Sequence, residues 1–171
     1  ALSRESRWWE TGEFNLKSLA WWSESRTEVV RKLYVDPVAH RPVLMLSSDF
    51  VTCSENEAVN VTVLEAFVVN PDVLTEYMSL EVRVAEWKSS GISWVKYDGA
   101  EVSMSIEEGV FVLVAHESSS VRLEGGEISV GFVTNYYGRT GVDVVLISHN
   151  GGSRRETKKH VSMLVEGVSH R

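Results

Sequence analysis

From residue 27 almost to the end of the chain, apolar and polar residues alternate with a period of two. That period marks strands burying one face. The clearest case is 101–117: Val102, Met104 and Ile106 alternate with Glu101, Ser103 and Ser105. Glu107-Glu108-Gly109 then supplies a polar turn, with Gly109 free to take a left-handed backbone, before the apolar run Phe111 to Val114. The pattern predicts a central β-hairpin there. It predicts further strands at 29–35, 43–51, 59–69, 80–87, 92–97, 121–123, 128–132, 142–148 and 161–165. Asp36-Pro37, Lys88 to Gly91, Asp98-Gly99, Gly125-Gly126 and Asn150-Gly151-Gly152 punctuate them.

Two segments break the alternation. Asn70-Pro71-Asp72 reads as a helix start, with an Asn cap and Pro at the first helical position. Val73, Leu74, Tyr77 and Met78 would give a short helix over 71–78 its apolar side. Residues 1–26 hold Trp8, Trp9, Trp21 and Trp22, with a short amphipathic helix expected within 13–22. These tryptophans suit either an arm that docks on a partner or a cap on the chain's own core.

Ten or eleven strands with turns every eight to twelve residues predict an all-β domain over 27–171, an antiparallel two-sheet sandwich preceded by the Trp-rich arm 1–26. A jelly roll is preferred to an immunoglobulin type, because the strands exceed seven, a helix interrupts them, and no Cys…Trp…Cys core is present.

Composition adds little to that picture. The chain has 171 residues, 43% hydrophobic and 24% charged, within the range of one ordinary globular domain. Its apolar runs fall short of a membrane span. Cys53 stands alone, so no internal disulfide forms and a reducing compartment, cytoplasm or virion, is expected. The chain starts at Ala1, which leaves an extracellular protein with a removed leader open.

Charge changes the picture more. The net −7 is uneven: residues 42–138 carry four Lys/Arg against fifteen Asp/Glu, while 139–171 carry six against three. An acidic body argues against a surface that grips nucleic acid all round. Arg154, Arg155, Lys158 and Lys159 are read as a basic hairpin loop that could meet phosphate or an acidic partner.

No motif demands catalysis. The five histidines form no H-x-H or H-x-x-x-H pair, there is no G-x-S-x-G, and the double glycines open no helix. No cofactor or metal is implied. Among the aromatics, Trp87 falls on the polar side of its predicted strand and Tyr136-Tyr137 in a loop, so these three are candidates for stacking on a sugar ring. Trp94 shares its alternation with Ile92 and is placed inside.

The reading these features favour is a non-enzymatic, self-associating structural protein, most concretely a shell subunit of viral coat type whose arm mediates assembly. A carbohydrate-binding module comes second, and a nucleic-acid binder using the C-terminal basic loop third.

Overall fold

A computed structural model of the chain describes residues 13–15, 30–32, 36–104, 108–115 and 120–168. The chain divides into two compact units, residues 1–36 and 37–171. In the first, β1 (Glu13–Asn15) pairs antiparallel with β2 (Val30–Lys32). The helix expected over 13–22 thus begins as a strand. Trp8, Trp9, Trp21 and Trp22 lie outside the described residues.

The second unit is a β-sandwich. Its first sheet contains β3 (Pro42–Leu46), β5 (Ala58–Val68), β7 (Ile92–Tyr97), β8 (Ala100–Glu101), β10 (Arg122–Leu123) and β11 (Glu127–Phe132). Its second contains β4 (Phe50–Ser54), β6 (Tyr77–Arg83), β9 (Val110–Val114), β12 (Gly138–Asn150) and β13 (Ser153–Glu166). Between them the inward alternate positions make one core. Val59, Val61, Val63, Ile128 and Val130 come from one sheet, and Leu80, Val82, Val144, Leu146, Val161 and Met163 from the other. The two-sheet sandwich expected from the alternation is present.

Its topology is not that of a jelly roll. The first sheet runs β3, β5, then β10 and β11 in succession, then β7; the second runs β4, β13, β12, β6, β9. That is the immunoglobulin-type arrangement, four strands facing a sheet built on the last two. The expected ten or eleven strands are met by the eleven of the two sheets, some of them pieces of longer strands cut by bulges. The clearest bulge is in β5, where inward positions shift from Val59, Val61 and Val63 to Ala66 and Val68 across two exposed residues, Leu64 and Glu65. Opposite it, β10 and β11 are separated by Gly125 (φ 64°) and Gly126 (φ 137°). The Tyr97 hydroxyl donates to the Gly125 carbonyl there.

Three further expectations change. The sandwich is not wholly antiparallel, because β4 runs parallel to β13. The predicted strand 43–51 breaks at Ser47 to Asp49, passing the chain from one sheet to the other. The predicted helix 71–78 is a single turn: Thr75 and Glu76 N–H both donate to the Asp72 carbonyl, and β6 starts at Tyr77. Asn70 has φ 48°, outside the conformation of a helix cap, and Val73 and Leu74 are exposed rather than packed. The sheet claims 77–83 because Leu80 and Val82 are fully buried there. A 3-10 turn at Trp87–Ser89 is the helical element found among the described residues. Of the central hairpin, the described residues show Met104 bridging Phe111, and residues 105–107 lie outside them.

Candidate functional site

Strand alternation decides where the predicted site residues fall. The supposed basic loop is the first half of β13, paired residue by residue with β12: Arg154 opposite His149, Arg155 opposite Ser148, Lys158 opposite Val145, Lys159 opposite Val144. Successive side chains therefore leave opposite faces of the sheet, and the cluster is split. Arg154 and Lys158 share the outer face, and Arg155 and Lys159 the other. Arg154 is further committed to Glu156 at 2.6 Å.

The stacking candidates are redistributed too. Trp87 packs on the core rim in a T-shaped contact with Phe111, ring centroids 5.3 Å apart. The 3-10 turn carries it out of the strand alternation that had placed it in solvent. Tyr136 stacks on Phe132 and lies over Gly91, where a Cβ would come within 2.3 Å of its ring. Tyr137 is 67% exposed. Trp94, placed inside from its alternation with Ile92, is on the outer face. A register shift at Gly131/Phe132 breaks the alternation between Ile92 and Trp94. The sequence offered no sign of that shift.

Trp94 lies over Gly131, opposite which it sits in the ladder; a Cβ on Gly131 would stand 2.0 Å from Cε2 and 2.3 Å from Cζ2 and Nε1. Ala58 is the next residue in the same row. Lys96 Nζ stands 4.7 Å from the indole centroid. In the adjoining row Ser129 Oγ donates to Asn60 Oδ1 at 2.7 Å. Beside the indole is an open hollow of about 320 Å³ lined by Asn56, Glu57, Ala58, Trp94, Gly131 and Thr134, among others. Its rim is held by two left-handed asparagines: Asn135 N–H donates to Asn56 Oδ1 at 2.9 Å, and Asn56 Nδ2 donates to Asn135 Oδ1.

The outer face of the second sheet has two halves. Across β6, β12 and β13 runs a charged ladder in which Arg83 reaches both Glu81 (2.7 Å) and Glu156 (3.0 Å), beside Asp143–His160 at 2.8 Å. The hydrogen bond from Arg83, helped by Arg154, holds the Glu156 carboxyl below its ordinary range against partial desolvation. At the β4 end the face carries three large side chains, Phe50, Leu164 and Tyr137, among Thr52, Ser54 and Ser162. Phe50 is 46% exposed, Leu164 is half-buried opposite Thr52, and Tyr137 lies beside Gly167.

One buried charge stands apart from both faces. The Glu76 side chain is fully buried, and its carboxylate accepts from His40 N–H at 2.5 Å and Asp72 N–H at 2.9 Å, with His40 Nδ1 at 2.8 Å. Burial pushes its pKa up. The two N–H groups and the His40 ring outweigh that and hold it below the ordinary carboxylate range. Ser148, Asn150, Ser153 and Thr157 bind the backbone of Val38, Ala39, His40 and Pro42 on the same side. This network fastens the entry of the domain. Among the described residues no three His, Cys, Asp or Glu side chains cluster to hold a metal.

No sequence family and no characterised protein matches the chain. It is similar in structure to the CooA pilin subunit of enterotoxigenic Escherichia coli (12% identity, 75% of this chain and 99% of that one, TM-score 0.42). A second similar structure is AggA, the major subunit of aggregative adherence fimbriae type I of Escherichia coli (9%, 75% and 97%, 0.41). A third is the N-terminal domain of the Streptococcus gordonii adhesin Sgo0707 (16%, 80% and 35%, 0.40). Likeness at this level extends to the β-sandwich build and to nothing finer.

Proposed function

We propose that the domain is a non-enzymatic structural module that associates with further copies of itself through the outer face of its second sheet. What supports this is the β4 end of that face, where Phe50 is 46% exposed, Leu164 is half-buried one outward row further on, and Tyr137, 67% exposed, lies beside Gly167. The charges in these rows are Arg139, opposite Leu164, and Glu166, opposite Ser54. Neither has an ion-pair partner among the described residues. A two-fold axis through the patch sets Arg139 of one copy against Glu166 of the next while the apolar atoms meet at the centre.

Such a contact closes pairs. A shell of coat type requires a second, head-to-tail contact, and we assign it to the segment holding Trp8, Trp9, Trp21 and Trp22.

The test is native mass by light scattering, for the wild type and for Phe50→Lys/Tyr137→Lys. Both side chains are exposed, so the double variant keeps its fold within about 1 kcal/mol. The wild type is expected to be a dimer or larger species, and the variant to shift towards monomer. A wild type that stays monomeric at about 0.1 mM sinks the reading.

A further inference from the structure

We infer that the outer face of the first sheet, opposite in the sandwich to the association patch, carries a binding site for a neutral saccharide centred on Trp94. The inference stands apart from the self-association reading and uses none of its residues.

The site is built by the row Ala58–Gly131–Trp94, which crosses three strands. The two small residues leave the strand backbone bare, and the indole lies over Gly131 with Lys96 Nζ 4.7 Å from the ring centroid. A large aromatic ring held on a sheet in this way is a rigid plate of a kind that fits the axial C–H face of a pyranose. The plate is ordered before any ligand arrives, so binding costs little side-chain entropy.

What surrounds the ring selects among ligands that stack. The hollow beside it, about 320 Å³, is near the lower end of small-molecule sites and open to solvent on one side. Its lining includes Glu57, Thr134 and Asn56. A carboxylate and an amide side by side suit adjacent hydroxyls, which donate to one and accept from the other. Asn56 and Asn135 fix each other, so the rim is preorganised. A purely apolar ligand would strand these polar groups without partners.

Charge narrows the class. Lys96 over the indole disfavours a cationic ligand, and Glu57 beside it disfavours an anionic one. A neutral, hydroxyl-rich ring is left. Lys96 can swing its flexible stem aside and exchange its contact with the indole for a hydrogen bond to a sugar oxygen.

The experiment is titration calorimetry of the full chain with soluble glucose-, galactose-, mannose- and N-acetylglucosamine-based oligosaccharides. Sialic-acid- and uronic-acid-containing oligosaccharides serve as anionic controls. Wild type, Trp94→Ala and Thr134→Ala are compared, with circular dichroism to show that each variant is folded. At least one neutral saccharide is expected to bind, at least tenfold more weakly to Trp94→Ala and measurably more weakly to Thr134→Ala. No binding by the wild type up to about 10 mM, preference for the anionic controls, or equal binding by folded Trp94→Ala would each overturn the inference. Light scattering on the same samples separates this result from the self-association reading, because Trp94→Ala leaves Phe50 and Tyr137 in place.

Discussion

Glu76 shows what a single residue contributes when burial and hydrogen bonding oppose each other. A fully buried carboxylate is tolerated because three groups on His40 and Asp72 point at it. An amide at that position keeps one acceptor and turns its NH₂ towards a donor. Glu76→Gln is therefore expected to cost about 2 kcal/mol at pH 7, lowering Tm by roughly 4–8 °C. The pH dependence follows from the depressed carboxyl pKa. A group with a depressed folded pKa stabilises fully above its unfolded value, about 4.3, and loses that contribution as pH falls through the folded value. The gap between wild type and Glu76→Gln should thus be widest at neutral pH and close below about pH 4. Urea unfolding of both proteins at pH 7 and pH 3 checks this, and a gap of constant size would show that the carboxylate is not held ionised. None of this was visible in the chain, where Glu76 reads as one more polar residue of an expected helix. Two of its three partners belong to His40, 36 residues away along the chain.

At the scale of the element, alternation made the strands legible and irregularities hid what they carry. The sequence patterns of β11 and the apolar half of β13 predict their inward faces correctly, because one buried face imposes the period of two. Where a register shift intervenes the reading inverts, as Trp94 demonstrates, while the Arg154–Lys159 run, expected as a loop, is a strand in continuous register. The edge strands show the same economy. β4 has no Pro, Lys or Glu to discourage pairing along its free edge. Its outward backbone groups are instead closed by side chains: the Ser48 hydroxyl accepts from Phe50 N–H and donates to the Phe50 carbonyl, and the Glu57 carboxylate accepts from Ser54 N–H. On the far side of the sheet, β9 is bulged and bridged by Met104. Ser48→Ala/Glu57→Ala should therefore lower stability by only about 1 kcal/mol yet promote intermolecular strand pairing. Turbidity and thioflavin fluorescence against protein concentration measure that. A variant as soluble as the wild type would show that Ser48 and Glu57 do not guard the edge.

At the scale of the whole molecule, two features decide how the sandwich can act: where its charge lies and where its core begins. The acidic middle of the sequence and the basic residues of β13 do not make one basic end, since alternation sends Arg154 and Lys158 to one face and Arg155 and Lys159 to the other. Contact with a phosphate backbone gains from clustered cations, so this distribution disfavours the nucleic-acid reading. Among the described residues, the core begins at Leu44 and the buried residues packed in it belong to the unit 37–171. A chain restricted to 37–171 is accordingly expected to fold by itself, with a cooperative thermal transition within a few degrees of the full chain. The same fragment separates the two association surfaces. It retains Phe50, Leu164 and Tyr137 and lacks all of Trp8, Trp9, Trp21 and Trp22. If the patch beside β4 closes pairs and the tryptophans extend them, the fragment should be a dimer where the full chain is larger. A folded monomer would move the whole of the association to the first 36 residues, and a fragment that assembles like the full chain would remove the tryptophans from it.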